Sequence, residues 1–271
     1  MNILTELKNE LGYANVTNQY IELAARTFQV DHGNDNLQEQ AGMVGLSIAT
    51  LPEDYLKRIA NGYIIGVHSC VEHFLVQYRL LPGSPARGQN YSAEDDDNRL
   101  KWILNICYGN RIPHDVKQLY FICNYYRLVR NEIVHCGTGR VELREAKTEL
   151  NNLTDDLAIS NIRGHLNAPN NFTNLNFDDQ VLFSRAARTI CDRIYKDSKY
   201  DWDVVLENYR TKINSFILSN DSEEKKKARI LNFLSQMYHI NVNDSRLIES
   251  ISHFVVQFHM DIGLMVEHPP S

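Results

Sequence analysis

Arg127, Arg130, Asn131 and His135 bring two permanent cations, an amide and a titratable imidazole to the end of a segment that otherwise reads as a buried helix. Burying an unpaired charge costs on the order of several kcal/mol, so such a cluster must be compensated. A bound phosphate is one means and a structural ion pair is the other. Arginine offers a planar fork of donors matched to phosphate oxygens. Histidine titrates near neutral pH and can take or give a proton.

One helix over residues 112–137 would position them. Pro113 suits a first helical residue, and Asp115 places a negative charge where the helix dipole favours it. Gly137 stands where a left-handed cap is expected. Between them Val116, Leu119, Ile122, Tyr126, Val129 and Ile133 point nearly all round, as in a central helix covered by neighbours. At ~100° per residue the four polar residues fall in an arc of roughly 140°. Arg127, Asn131 and His135 follow one another at i, i+4 and i+8, with Arg130 flanking that ridge. In the alternative reading, the cations complement the helix C-terminus or pair with acids. Arg127 stands between site support and an ion pair.

Arg130, Asn131 directly after it and His135 five residues on, at the end of an apolar helix, resemble the signature of the HEPN superfamily. The resemblance covers about residues 52–160. It implies an all-helical domain and a metal-independent endoribonuclease, without cofactor, of the kind found in toxin–antitoxin, abortive-infection and other anti-phage systems. In that chemistry a base removes the proton of the RNA 2′-hydroxyl, which then attacks the adjacent phosphate. His135 would be the base or acid, and Arg130 would neutralise charge developing on the phosphate. Asn131 would orient the histidine or hold the RNA backbone. The resemblance further implies a homodimer whose two signature helices form one composite cleft. An antitoxin or defence-system protein is a possible further partner. The subgroup controlled by a nucleotidyltransferase commonly has tyrosine two residues after the motif histidine; here that position is Gly137, so such a modification is not available.

Composition narrows the classes. The chain has 271 residues, enough for a substantial core, and a formal charge of −6. That charge disfavours a non-specific binder of long duplexes but leaves room for a local cationic cleft. The five cysteines (Cys70, Cys107, Cys123, Cys136 and Cys191) include no Cys-x-x-Cys pair and read as free thiols. The start MNILTELKNELGY lacks the basic head and apolar run of a secretory leader, and no stretch approaches the length of a membrane span. The expected compartment is the cytoplasm.

Helices dominate the rest. Residues 17–30 and 35–50 read as short amphipathic helices around a turn at His32-Gly33-Asn34. In 52–81, Ile64, Val67, Val71, Phe74, Tyr78 and Leu81 form a seam at alternating three- and four-residue spacing. His68, Glu72 and Arg79 lie beside it, and Glu72 is the candidate to orient an arginine or His135. The His68–Glu72 spacing makes a weak metal pair, and no metal site is expected. Residues 82–93 are a Pro- and Gly-rich loop, followed by helices at 94–107, 112–137 and 140–157. The stretch 161–179 is rich in asparagine and reads as a solvated connector, from which Arg163 and His165 could reach RNA. Further helices are expected at 178–197, 201–219, 222–239 and 243–266.

The expectation is therefore an all-α protein with an N-terminal helical segment (1–51), a HEPN-like core (52–160), a loop (161–179) and a C-terminal helical region (180–271). The alternatives are a non-catalytic helical module that binds RNA, a nucleotide or a protein partner, and a scaffold whose cationic cluster is an ion-pair network.

Overall fold

Apolar residues recurring at helical spacing from end to end produce an all-α protein, with twelve α-helices and no strand among the described residues. The structure is a computed structural model and describes residues 2–31, 37–47, 54–90, 92, 97–135, 140–153, 157–240 and 244–267. The helices are α1 (Ile3–Asp31), α2 (Leu37–Met43), α3 (Tyr55–Leu80), α4 (Arg99–Tyr108), α5 (His114–His135), α6 (Arg140–Asn152) and α7 (Leu157–Arg163). After a 3-10 turn (Phe172–Asn174) come α8 (Phe177–Asp197), α9 (Trp202–Asn208), α10 (Arg210–Ile217), α11 (Glu223–Tyr238) and α12 (Ser245–Glu267). None of these helices is long and apolar enough to cross a membrane. The turn expected at His32-Gly33-Asn34, the cap expected at Gly137 and the thiol of Cys136 lie outside the described residues.

Packing divides the chain into two units, each assembled from separated stretches. The first comprises Glu6–Phe74 and Ile112–Cys191; the second comprises Met1–Thr5, Leu75–Arg111 and Asp192–Ser271. The divisions fall inside α1, α3 and α8 and between α4 and α5.

In the first unit the α3 seam is buried, with Ile64 and Val67 fully covered and Val71 and Phe74 nearly so. In this unit α5 packs against α6 and α7. On α6, Leu143, Ala146 and Leu150 are the buried stripe, at the i, i+3, i+7 spacing that one helix face requires. Tyr126 on α5 stacks on Phe183 of α8, with ring centroids 5.0 Å apart.

In the second unit Asn2 caps α1, its Oδ1 accepting from the Leu4 amide at 2.8 Å. The Tyr78 hydroxyl meets Ser198 and Cys107. Tyr200, Trp202 and Tyr238 form an edge-to-face aromatic group. Gly83 takes a φ of +68° and its carbonyl accepts from the Asp201 amide at 2.8 Å, which fixes the entry to α9.

Three boundaries differ from the sequence expectation. Helix α1 starts at Ile3 rather than near residue 17, because Leu4, Leu7 and Leu11 already form a buried stripe. The helix expected at 201–219 is broken at Tyr209 (φ −103°, ψ 16°), where no glycine or proline announces a stop. Residues 35–50 supply only the seven-residue α2 to the described part of the chain. Among the described residues Cys70, Cys107, Cys123 and Cys191 form no disulfide, as their spacing suggested.

Candidate functional site

Helix α5 is covered along most of its length, and its polar ridge emerges in the last two turns. Arg127, Arg130 and Asn131 are half-buried, and His135, its final residue, is exposed. Arg130 donates from Nη1 to Asn131 Oδ1 at 3.1 Å. Among the described residues no carboxylate lies within ion-pair distance of Arg130, and none contacts His135. Among the described residues the ion-pair network foreseen as the alternative for Arg130 is therefore not formed there, and its guanidinium is aligned by a neutral amide. Arg127 donates from Nε to Asn124 Oδ1 at 3.1 Å, one turn earlier on its own helix.

The expected support from Glu72 is not made. Its oxygen lies 3.9 Å from His68 Nε2, and among the described residues it neither bonds nor ion-pairs with Arg130 or His135. Residues four apart on one helix are neighbours, which places His68 within reach of Glu72. Arg163 ends α7, half-buried, and no contact joins it to the ridge.

The other side of α5 carries a feature that the sequence reading missed. An open cleft of about 480 Å³ is lined by Tyr125 and Glu132 of α5, Arg144 and Lys147 of α6, and Phe172 and Thr173 of the 3-10 turn. At ~100° per residue, Arg130 is roughly 140° round the helix from Tyr125, and it does not line the cleft. Lys147 donates to the Pro169 carbonyl and lies 5.6 Å above the Tyr125 ring. Burial pulls its ammonium below the usual lysine range, while the Asp179 carboxylate works in the opposite direction. The signal for this cleft was present in the sequence as Arg144 and Lys147 at i, i+3 on a polar helix.

Behind the cleft, the asparagine-rich stretch is not a solvated connector. Asp179 is fully buried. Its carboxylate accepts from the Asn170 amide at 2.8 Å, the Asn170 side chain at 2.9 Å, the Asn176 amide at 2.9 Å and the Tyr126 hydroxyl at 2.8 Å. The Tyr125 hydroxyl donates to the Asn170 carbonyl. Asn170 and Asn176 thus wrap the buried carboxylate, and Asn170 ties the turn to α5.

One grouping among the described residues has the donor types and closeness of a metal site. Glu6 and Glu10 of α1 and His73 of α3 bring their ligand atoms within 4.8 Å of one another. His73 lies 3.7 Å from Glu6, an arrangement that an ion pair of half-exposed side chains also explains. It is not the His68–Glu72 pair considered from the sequence.

No family model, curated protein or solved structure matches this chain.

Proposed function

We propose that the chain is a metal-independent endoribonuclease of HEPN type, working as a homodimer in a toxin–antitoxin, abortive-infection or other anti-phage system. The observation that supports this most is the state of Arg130: half-buried, unpaired with any acid among the described residues, and aligned by Asn131 beside the exposed His135 at the end of α5. A guanidinium held this way is free to take phosphate oxygens, which a salt-bridged one is not. Arg130 would stabilise the charge that develops as the 2′-hydroxyl attacks, and His135 would move the proton. Asn131 acts through Arg130 as a positioning residue.

The test is cleavage of total RNA and tRNA by the full chain in EDTA, beside Arg130→Ala, His135→Ala and Asn131→Ala at matched melting temperature. The wild type is expected to cut, leaving 2′,3′-cyclic phosphate and 5′-hydroxyl ends. Arg130→Ala and His135→Ala are expected to lose at least about 100-fold, the usual range for a general acid–base or charge-stabilising group. Asn131→Ala should lose about 10-fold, because it removes alignment but not charge. Equal cutting by wild type and variants would overturn the assignment.

The cleft beside α6 favours a second reading, a module that binds RNA or a nucleotide without cutting it. Aromatic rings (Tyr125, Phe172) next to cations (Arg144, Lys147) are what stacking and phosphate contact require. Binding without cutting, lost in Lys147→Gln, would select that reading.

A further inference from the structure

Helices α1 and α3 bring metal-ligating side chains together inside the first unit. The two helices run antiparallel. The Tyr63 hydroxyl donates to the Asn18 carbonyl and reaches the Glu22 carboxylate, at 3.2 and 3.4 Å. Further along α3, His73 lies 3.7 Å from Glu6, near the start of α1. Glu6 and Glu10 are four apart and share one face of α1, and Cys70 and His73 are three apart and share one face of α3. One ligand atom each of Glu6, Glu10 and His73 already lies within 4.8 Å of the others. Burial, and then the Glu10 carboxylate, push the Cys70 thiol up, so that thiol stands in the field of the same group.

An ion pair alone does not account for this arrangement. Like charges at i, i+4 repel on a helix, yet both carboxylates converge on a single imidazole. The 3.7 Å between His73 Nε2 and Glu6 Oε1 exceeds a charge-assisted hydrogen bond, which spans about 2.7–2.9 Å. Two donors on one tetrahedral zinc, each bound at about 2.0–2.2 Å, stand roughly 3.4 Å apart, close to that separation.

We propose that Glu6, Glu10, Cys70 and His73 hold a zinc ion that clamps the start of α1 to the later half of α3. Two carboxylates, an imidazole and a thiol give four ligands, the number that closes a structural zinc site. Imidazole and sulfur select zinc over magnesium or calcium, which take oxygen. Rotation about the glutamate side chains closes the remaining separation. His73 is exposed, which leaves the ion a path from solvent. As zinc binds, the thiol gives its proton to solvent and the thiolate becomes the ligand. The site shares no residue with Arg130 or His135 and does not rest on the ribonuclease reading. It is read by metal binding rather than by cutting, so either can fail alone.

Cobalt titration of the full chain, stripped of metal with EDTA and then desalted, tests it. The wild type is expected to take one cobalt ion per chain, with the strong visible bands of a tetrahedral ion and a sulfur-to-cobalt band in the near ultraviolet. Added zinc should bleach both. Glu10→Gln and His73→Ala should weaken binding by more than about 100-fold, the upper end of what losing a group outside the ligand set costs. Zinc should raise the melting temperature of the wild type and leave that of His73→Ala where it was. The side chains are partly exposed, so the metal-free variants should melt with the metal-free wild type. A wild type without the tetrahedral cobalt spectrum, or variants that bind as tightly as the wild type, would overturn the proposal. A sulfur band that is absent, or that survives Cys70→Ser, would overturn the place of Cys70 among the ligands.

Discussion

The Tyr126 hydroxyl donates to Asp179 Oδ1 across 2.8 Å, joining α5 to the first turn of α8 inside the first unit. Both side chains are fully buried. A carboxylate in that position is tolerable only because every approach to it carries a donor: two backbone amides, an asparagine side chain and this phenol. The same node anchors the turn that walls the cleft, since Asn170 serves both Asp179 and Tyr125.

Removing one donor should therefore cost more than an average hydrogen bond. Tyr126→Phe is expected to destabilise by about 1–3 kcal/mol, because it leaves a buried anion short of a partner. Asp179→Ala should cost more, since it orphans four donors at once. The double variant should fall well short of the sum, as partners in one network do not act independently. Urea unfolding of the two singles and the double reads all three values. Additive losses would mean that the bond contributes nothing specific.

Gly83→Ala is the substitution expected to damage the second unit most for its size. The glycine has a φ of +68°, and an added methyl would sit against the Asp201 carbonyl oxygen and the Val205 side chain closer than van der Waals contact. The obstacle is backbone at the start of α9, which cannot swing aside as a flexible side chain can. A loss of about 2–4 kcal/mol follows from overpacking together with the left-handed backbone. Gly88→Ala is the control: its φ is +74° but its surroundings are open, so only the backbone strain of about 1 kcal/mol should appear. Thermal melts of the two variants provide the comparison.

Alkaline pH should unfold the protein cooperatively. Burial, then the Glu22 carboxylate, pushes the Tyr63 phenol up to about 12. Burial also holds Tyr78, Tyr126 and Tyr200 above the usual tyrosine range. A group whose pKa is higher in the folded state keeps its proton where the unfolded chain has lost it. Its contribution is thus complete below about pH 10 and disappears as the pH rises through the folded value. Absorbance at 295 nm should show a steep step that coincides with loss of helical circular dichroism. A single smooth titration centred near pH 10, with the helix intact, would contradict the burial.

Much of this molecule could be read from the chain alone. The all-α class followed from apolar spacing, and so did the α3 seam and the extent of α5, because a helix face that must leave water repeats every three or four residues wherever it lies. The polar ridge Arg127–Asn131–His135 was legible for the same reason: its members share a face by helical geometry. The sequence could not say which neighbour each would choose. Glu72 pairs with His68, its own helical neighbour, and Arg130 with the adjacent Asn131. Nor could it reveal Asp179, since asparagine-rich stretches favour turns and nothing local shows that a turn will close around a buried acid. The orientation of α1 is the clearest division between the two kinds of information. Residues 17–30 were recognisably amphipathic, yet periodicity reports only that a helix has an apolar side. Tertiary packing turned the polar side inward, towards Tyr63 and Gln180, and left Tyr13, Val16, Tyr20 and Leu23 facing water. Which face is covered depends on the shape and donors of the surface a helix meets, and those come from residues far away in the chain.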